Sequence, residues 1–246
     1  MPDRTIDAPT LIYARVAGLG YLIIIVTGIF AEFFVRSSLI VPGDATATAA
    51  NIVGSELLFR ASIAGELVML TCDVLVALAL YVVFKGVDKS LALLAAFFRL
   101  AHAAIVGVNL LNTYVPLLLL GDATYLTVFD PGQLHALALL ALEAHSFGYL
   151  IGLVFFGFHC LVLGYLVFKS GYVPRVLGVL LIFASVGYLV DSFSRTLLSS
   201  YPEYEAILTG VVFVPAFMAE VSFCLWLLLK GIDVPGPKEL PAGGHR

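Results

Sequence analysis

The chain has 246 residues, 61% of them hydrophobic and only 12% charged, with a net charge of −4. Together with a mean hydropathy of +1.05, this excludes an ordinary soluble globular domain. The basic residues never cluster, so the charge pattern holds no signal for nucleic acid.

Six apolar segments of spanning length follow one another, at roughly 11–35, 56–84, 90–120, 134–168, 174–199 and 206–229. They predict an all-α integral membrane bundle of six transmembrane helices over residues 11–230. A short segment, 1–10, precedes it and a disordered tail, 231–246, follows. Asp3 and Asp7 open the chain and no small-residue cleavage site follows the first apolar stretch, so that stretch reads as a retained helix and not a signal peptide. After it, Pro42-Gly43 marks a turn and Asp44 an N-cap, with a short surface helix expected over 45–55. Lys85–Ser90 and Lys169-Ser170-Gly171 read as tight turns, and Pro174 as the opening of the fifth helix. The connections 121–133 and 200–205 carry acids and tyrosines but no bases. Pro116 and Pro215 fall inside spans and predict kinks. Cys72, Cys160 and Cys224 also fall inside spans, as small buried hydrophobes without a disulfide framework.

Lysine and arginine set the expected orientation. Arg4, Arg15, Lys85, Lys89, Lys169, Arg175, Lys230, Lys238 and Arg246 gather at one face, and Arg36, Arg60 and Arg195 at the other. Nine against three places both termini in the cytoplasm.

Charged groups inside a bilayer cost about 2.5–3.5 kcal/mol each on insertion scales, so they normally face a partner or a wet cavity. Depth follows from counting residues from the nearest cytoplasmic base. Asp73 stands twelve before Lys85, His159 ten before Lys169 and Glu220 ten before Lys230, while Arg99 and His102 follow Lys89 by ten and thirteen. At about 1.5 Å per residue all five lie near the centre of a core about 30 Å thick, as a mid-membrane binding layer. A second layer, nearer the outer face, holds Glu32, Arg36, Arg60, Glu66, Glu143, His145, Asp191 and Arg195, as a vestibule or as groups that snorkel. Within helices, Glu66 and Asp73 share a stripe seven apart, Arg99 and His102 share a face, and His145 and His159 lie on one side. Gly148, Gly152 and Gly164 flank that last stripe and invite a close helix neighbour. A faint parallel repeat relates the Arg15-to-Arg36 and Arg175-to-Arg195 segments.

The stretches ARVAGLGYL, TGIFAEFFVRSSLIVPGD, ELLFR, GLVFFGFHCLVLGYLVFKSGYVPRVLGVL and GYLVDSF resemble the bacterial multi-pass membrane family called domain of unknown function 4386, over about residues 10 to 230. That resemblance implies a helical protein of the inner membrane and transfers no activity or catalytic residue.

The primary functional expectation is a membrane protein binding or translocating an ion, a proton or a small polar ligand in a pocket from spans two, three, four and six. Lipid would surround it, and a homo-oligomer could complete a pathway. Three alternatives stand beside it. His102, His159, Asp73 and Glu220 form a donor set for Zn²⁺ in an intramembrane metal-dependent hydrolase. His145-x13-His159 has the one-helix spacing of b-type haem proteins, with His102 as the partner of His159. A structural or sensory protein would carry the same charges for packing alone. No G-x-S-x-G elbow supports a nucleophilic hydrolase.

Overall fold

A computed structural model describes residues 8–232; among them the chain is helical, with no β-strand. The first rod comprises α1 (Ala8–Ile29), a π-helical stretch (Phe30–Arg36) and α2 (Ser37–Leu39). Then come α3 (Ala45–Gly54), α4 (Glu56–Phe84), α5 (Lys89–Asn109), α6 (Leu111–Leu119), α7 (Pro131–Ser170), α8 (Arg175–Leu197) and α9 (Tyr201–Leu229). Six stretches are long and apolar enough to cross a membrane: Thr10–Leu39, Glu56–Phe84, Lys89–Leu119, Pro131–Ser170, Arg175–Leu197 and Gly210–Leu229.

Local chemistry sets the helix ends. Gly43 turns the chain with φ +76°, and Asp44 then caps α3 by accepting from the Ala47 N–H at 2.9 Å. Asp88 caps α5 through the Leu91 N–H at 3.0 Å, and Asp130 with Gln133 forms a capping box that starts α7 three residues before the expected boundary. Gly171 ends α7 in the left-handed region, and Pro174 sits one position ahead of α8. The third span is split at Leu110 into α5 and α6, six residues before Pro116. Pro215 lies within an unbroken α9. The connection before α9 is shorter than expected: helix resumes at Tyr201, because Pro202 suits a first turn. After α9, Gly231 turns the chain with φ +72° and Ile232 returns to the core, buried. Residues 233–246 and 1–7 lie outside the described residues.

The spans close into a ring in chain order: α1 against α4, α4 against α5, α5 against α7, α7 against α8, α8 against α9, and α9 back against α1. In the half nearer the chain ends, a continuous apolar core joins Tyr21, Val76, Val83, Phe84, Leu163, Leu166, Leu181, Phe223 and Leu227. A smaller apolar cap closes the far end, from Val35, Leu39, Ile52, Phe59, Ile63 and Leu142. Leu78, Val108, Leu140 and Phe183 are each more than half exposed, as suits a surface left for lipid. The three cysteines are buried and unbridged, as expected. The two halves of the faint repeat pack differently: Gly18 lies against α9, whereas Gly178 lies against Gly164 of α7.

Candidate functional site

Between the two apolar layers stand two arginine-centred clusters. In the deeper one, Arg99 of α5 is fully buried and its Nη2 pairs with Asp73 Oδ1 of α4 at 2.6 Å. Its Nη1 donates to the Tyr21 hydroxyl of α1 at 2.8 Å and lies 3.2 Å from His159 Nε2 of α7. The guanidinium also lies over two rings, 4.5 Å from the Tyr21 centroid and 5.4 Å from that of Phe156. A guanidinium only donates, so His159 Nε2 must accept; Nδ1 then carries the ring proton and donates to the Ala95 carbonyl at 2.8 Å. The Arg99 charge therefore meets a carboxylate, a phenol, an imidazole and two π-clouds, while its Nε finds no hydrogen-bond partner.

The outer cluster repeats the plan with different helices. Arg36, at the end of the π-helical stretch, donates through Nε to Glu32 at 2.7 Å and through Nη1 to the buried Glu66 of α4. The same Nη1 lies 3.3 Å from His145 Nε2 of α7. His145 Nδ1 faces both the Asn109 side-chain nitrogen at 3.1 Å and the Asn109 carbonyl at 3.4 Å. The Asn109 side chain donates to the His145 carbonyl at 2.8 Å and accepts from Asn112 at 2.9 Å. Gly148 makes room for it: a Cβ there would meet Asn109 Oδ1 at 2.0 Å.

Both clusters thus combine an α4 carboxylate, an arginine and an α7 histidine whose Nδ1 points to an α5 carbonyl. The cause is a shared register. Ala95, His102 and Asn109 stand seven apart on α5, and His159, Gly152 and His145 stand seven apart on the antiparallel α7. The middle level pairs His102 with Gly152: a Cβ on Gly152 would stand 3.2 Å from His102 Nδ1, which faces that backbone outside hydrogen-bond geometry. Rings join the levels. Tyr149 lies 6.4 Å from His145 and 6.3 Å from His102, and Phe156 lies 5.1 Å from His102 and 5.7 Å from His159. The result is one column of three imidazoles running from the outer cluster to mid-depth.

Of the five expected mid-depth groups, Asp73, Arg99 and His159 meet directly, and His102 joins through Phe156. Glu220 is engaged elsewhere, accepting from the Tyr188 hydroxyl at 2.5 Å, because ring closure sets α9 beside α8 and α1. Phe156 touches Tyr188 at 5.5 Å and so links that pair to the column. Of the expected vestibule, Glu32, Arg36, Glu66 and His145 assemble. Arg60 stands apart, exposed and paired with Glu56 at 2.7 Å. Asp191 accepts from Tyr201 at 2.7 Å, and the Arg195 guanidinium lies over the Phe147 and Tyr201 rings. Glu143 is exposed. Tyr21, Tyr149 and Tyr188 escaped the sequence expectation because a search by formal charge passes over phenols. Among the described residues, no three His, Cys, Asp or Glu side chains gather around a point that one metal ion could occupy. His145 and His159 each already direct both ring nitrogens at protein groups.

Compared with known proteins, residues 16–231 match the family model described as a domain of unknown function, DUF4386. An uncharacterized protein of Archaeoglobus fulgidus is 33% identical over 171 residues, covering 69% of this chain and 83% of the relative. No solved structure matches.

Proposed function

For a chain that belongs to the DUF4386 family, and so to multi-pass helical membrane proteins of unknown function, we propose that the buried column accepts and passes protons, or a cation of comparable size. One observation carries this: three imidazoles at heptad spacing, flanked by Glu66 and Asp73, between two apolar layers. Ionisable groups held at this depth and mutually connected are the usual equipment of proton relays. Charge balance favours a cationic species, because the outer cluster holds two carboxylates, Glu32 and Glu66, for one arginine. Glu32 is exposed and Arg36 only partly covered, which makes their side of the first rod the entrance. Contacts this close, with side chains filling the seam, suit a proton better than a bulky ligand.

The test is flux. Purified protein in vesicles enclosing a pH-sensitive dye is given a proton gradient and a potassium-diffusion potential. Proton entry above protein-free vesicles is expected, reduced about tenfold or more in Asp73→Asn and in His102→Gln. The surface variant Glu56→Gln serves as the control and keeps the wild-type rate. Wild-type vesicles no leakier than empty ones, at either polarity of the potential, would overturn the proposal.

A further inference from the structure

The three levels of the column are not equivalent, and the difference assigns their roles. At both ends an arginine faces Nε2 and an α5 carbonyl lies near Nδ1, at 2.8 Å for His159 and at 3.4 Å for His145, where the Asn109 side-chain nitrogen also stands 3.1 Å from Nδ1. Adding a second ring proton at either end would set an N–H against a guanidinium N–H, two donors with no acceptor between them. Those two histidines are held as neutral acceptors. The middle one carries no such clamp. His102 is buried, has no side-chain hydrogen bond, and is contacted by the rings of Tyr149 and Phe156.

We infer that His102 is the proton-exchanging member of the column, with His145 and His159 serving as fixed acceptors that hold Arg36 and Arg99. The inference deepens the proton-handling proposal by naming the group that changes state. The groups facing His102 fit that role. Arg99, paired with Asp73 of α4, lies one turn away on its own helix, and α7 contributes Tyr149 and His159, which Arg99 also contacts. The chemistry is a simple exchange: the ring nitrogen gains one proton from water or a neighbouring acid, and the same bond breaks on release. The π-faces of Phe156 and Tyr149 can accommodate an imidazolium, since a cation over an aromatic ring is attracted to it. Gly152, having no side chain, lets Nδ1 of His102 approach the α7 backbone closely.

The experiment reads protonation directly and needs no flux. Wild-type protein with ¹⁵N-histidine and ¹³C-aromatic labels is placed in lipid nanodiscs, and the ring nitrogens are followed by solid-state NMR from pH 5 to pH 8. His102 is assigned in the wild type as the imidazole with through-space contacts to both Tyr149 and Phe156, so the result does not depend on a variant folding. His145 and His159 are expected to keep one Nδ1–H tautomer pattern throughout, while His102 passes from a neutral to a doubly protonated pattern as pH falls. An invariant His102, or a pH-dependent change at His145 or His159 instead, would overturn the assignment. A titrating His102 in a protein that conducts nothing would sink the relay proposal and leave this assignment standing.

Discussion

Arg99 is the residue on which most of the buried polar structure depends. It touches α1, α4 and α7 at once and is fully screened from outside. Removing one partner of such a pair leaves an uncompensated charge, at a cost of about 3–5 kcal/mol, whereas replacing both by apolar groups is often neutral. Asp73→Ala should therefore unfold at markedly lower denaturant in detergent than wild type, and Asp73→Leu combined with Arg99→Met should regain most of the loss. Equal stability of Asp73→Ala and wild type would contradict the burial of the pair. Much at this scale was legible in advance, because a charge in an apolar span reports its own depth. Counting from Lys85, Lys89 and Lys169 predicts one level for Asp73, Arg99, His102 and His159; Asp73, Arg99 and His159 meet, whereas His102 stands one level along the column beside Gly152. Glu220 obeyed the same count yet found Tyr188, since depth is written in one helix and neighbourhood is not.

Among the elements, the end of the first rod and the two faces of α7 matter most. In the π-helical stretch Phe30–Arg36 the Ser37 N–H bonds to the Glu32 carbonyl, five residues back, and the wider turn re-aims Arg36 relative to the α1 stripe that packs on α4. Nothing in FAEFFVR distinguishes that winding from an ordinary apolar helix, so it was not visible in the sequence. The glycines were visible, but which helix each would meet was not. On α7, Gly148 and Gly152 admit α5, while Gly164 admits α8, where an added Cβ would lie 2.7 Å from the Gly178 carbonyl oxygen. Gly164→Leu should destabilise the protein by about 1–3 kcal/mol through overpacking. Gly132→Ala, whose Cβ meets nothing within 4 Å, should stay within about 0.5 kcal/mol of wild type; thermal unfolding compares the two directly.

For the molecule as a whole, an even number of crossings brings the chain back to the face it left. The basic excess near Lys85, Lys89, Lys169, Arg175 and Lys230 predicts that this face is cytoplasmic. In intact cells, an impermeant thiol reagent should label a cysteine at Asp122 and spare one at Lys89; the reverse pattern would invert the topology. The native cysteines do not interfere, being buried. The class of fold and its six helices of spanning length were legible from hydropathy alone. The cyclic order of helices was not, because apolar surfaces carry no address for one another and only the packed ring reveals that α9 borders α1.

The continuous apolar core on the side of the chain ends has an electrical consequence. A membrane potential falls mainly across material that polarises little, and that core is such a layer, lying between Arg99 and the basic face. Moving one charge through the whole field is worth about 2.3 kcal/mol per 100 mV, so a proton resting on His102 would feel an appreciable share of it. Occupancy of His102 would then follow the cell's voltage as well as its acidity, in the manner of a capacitor charged from one plate.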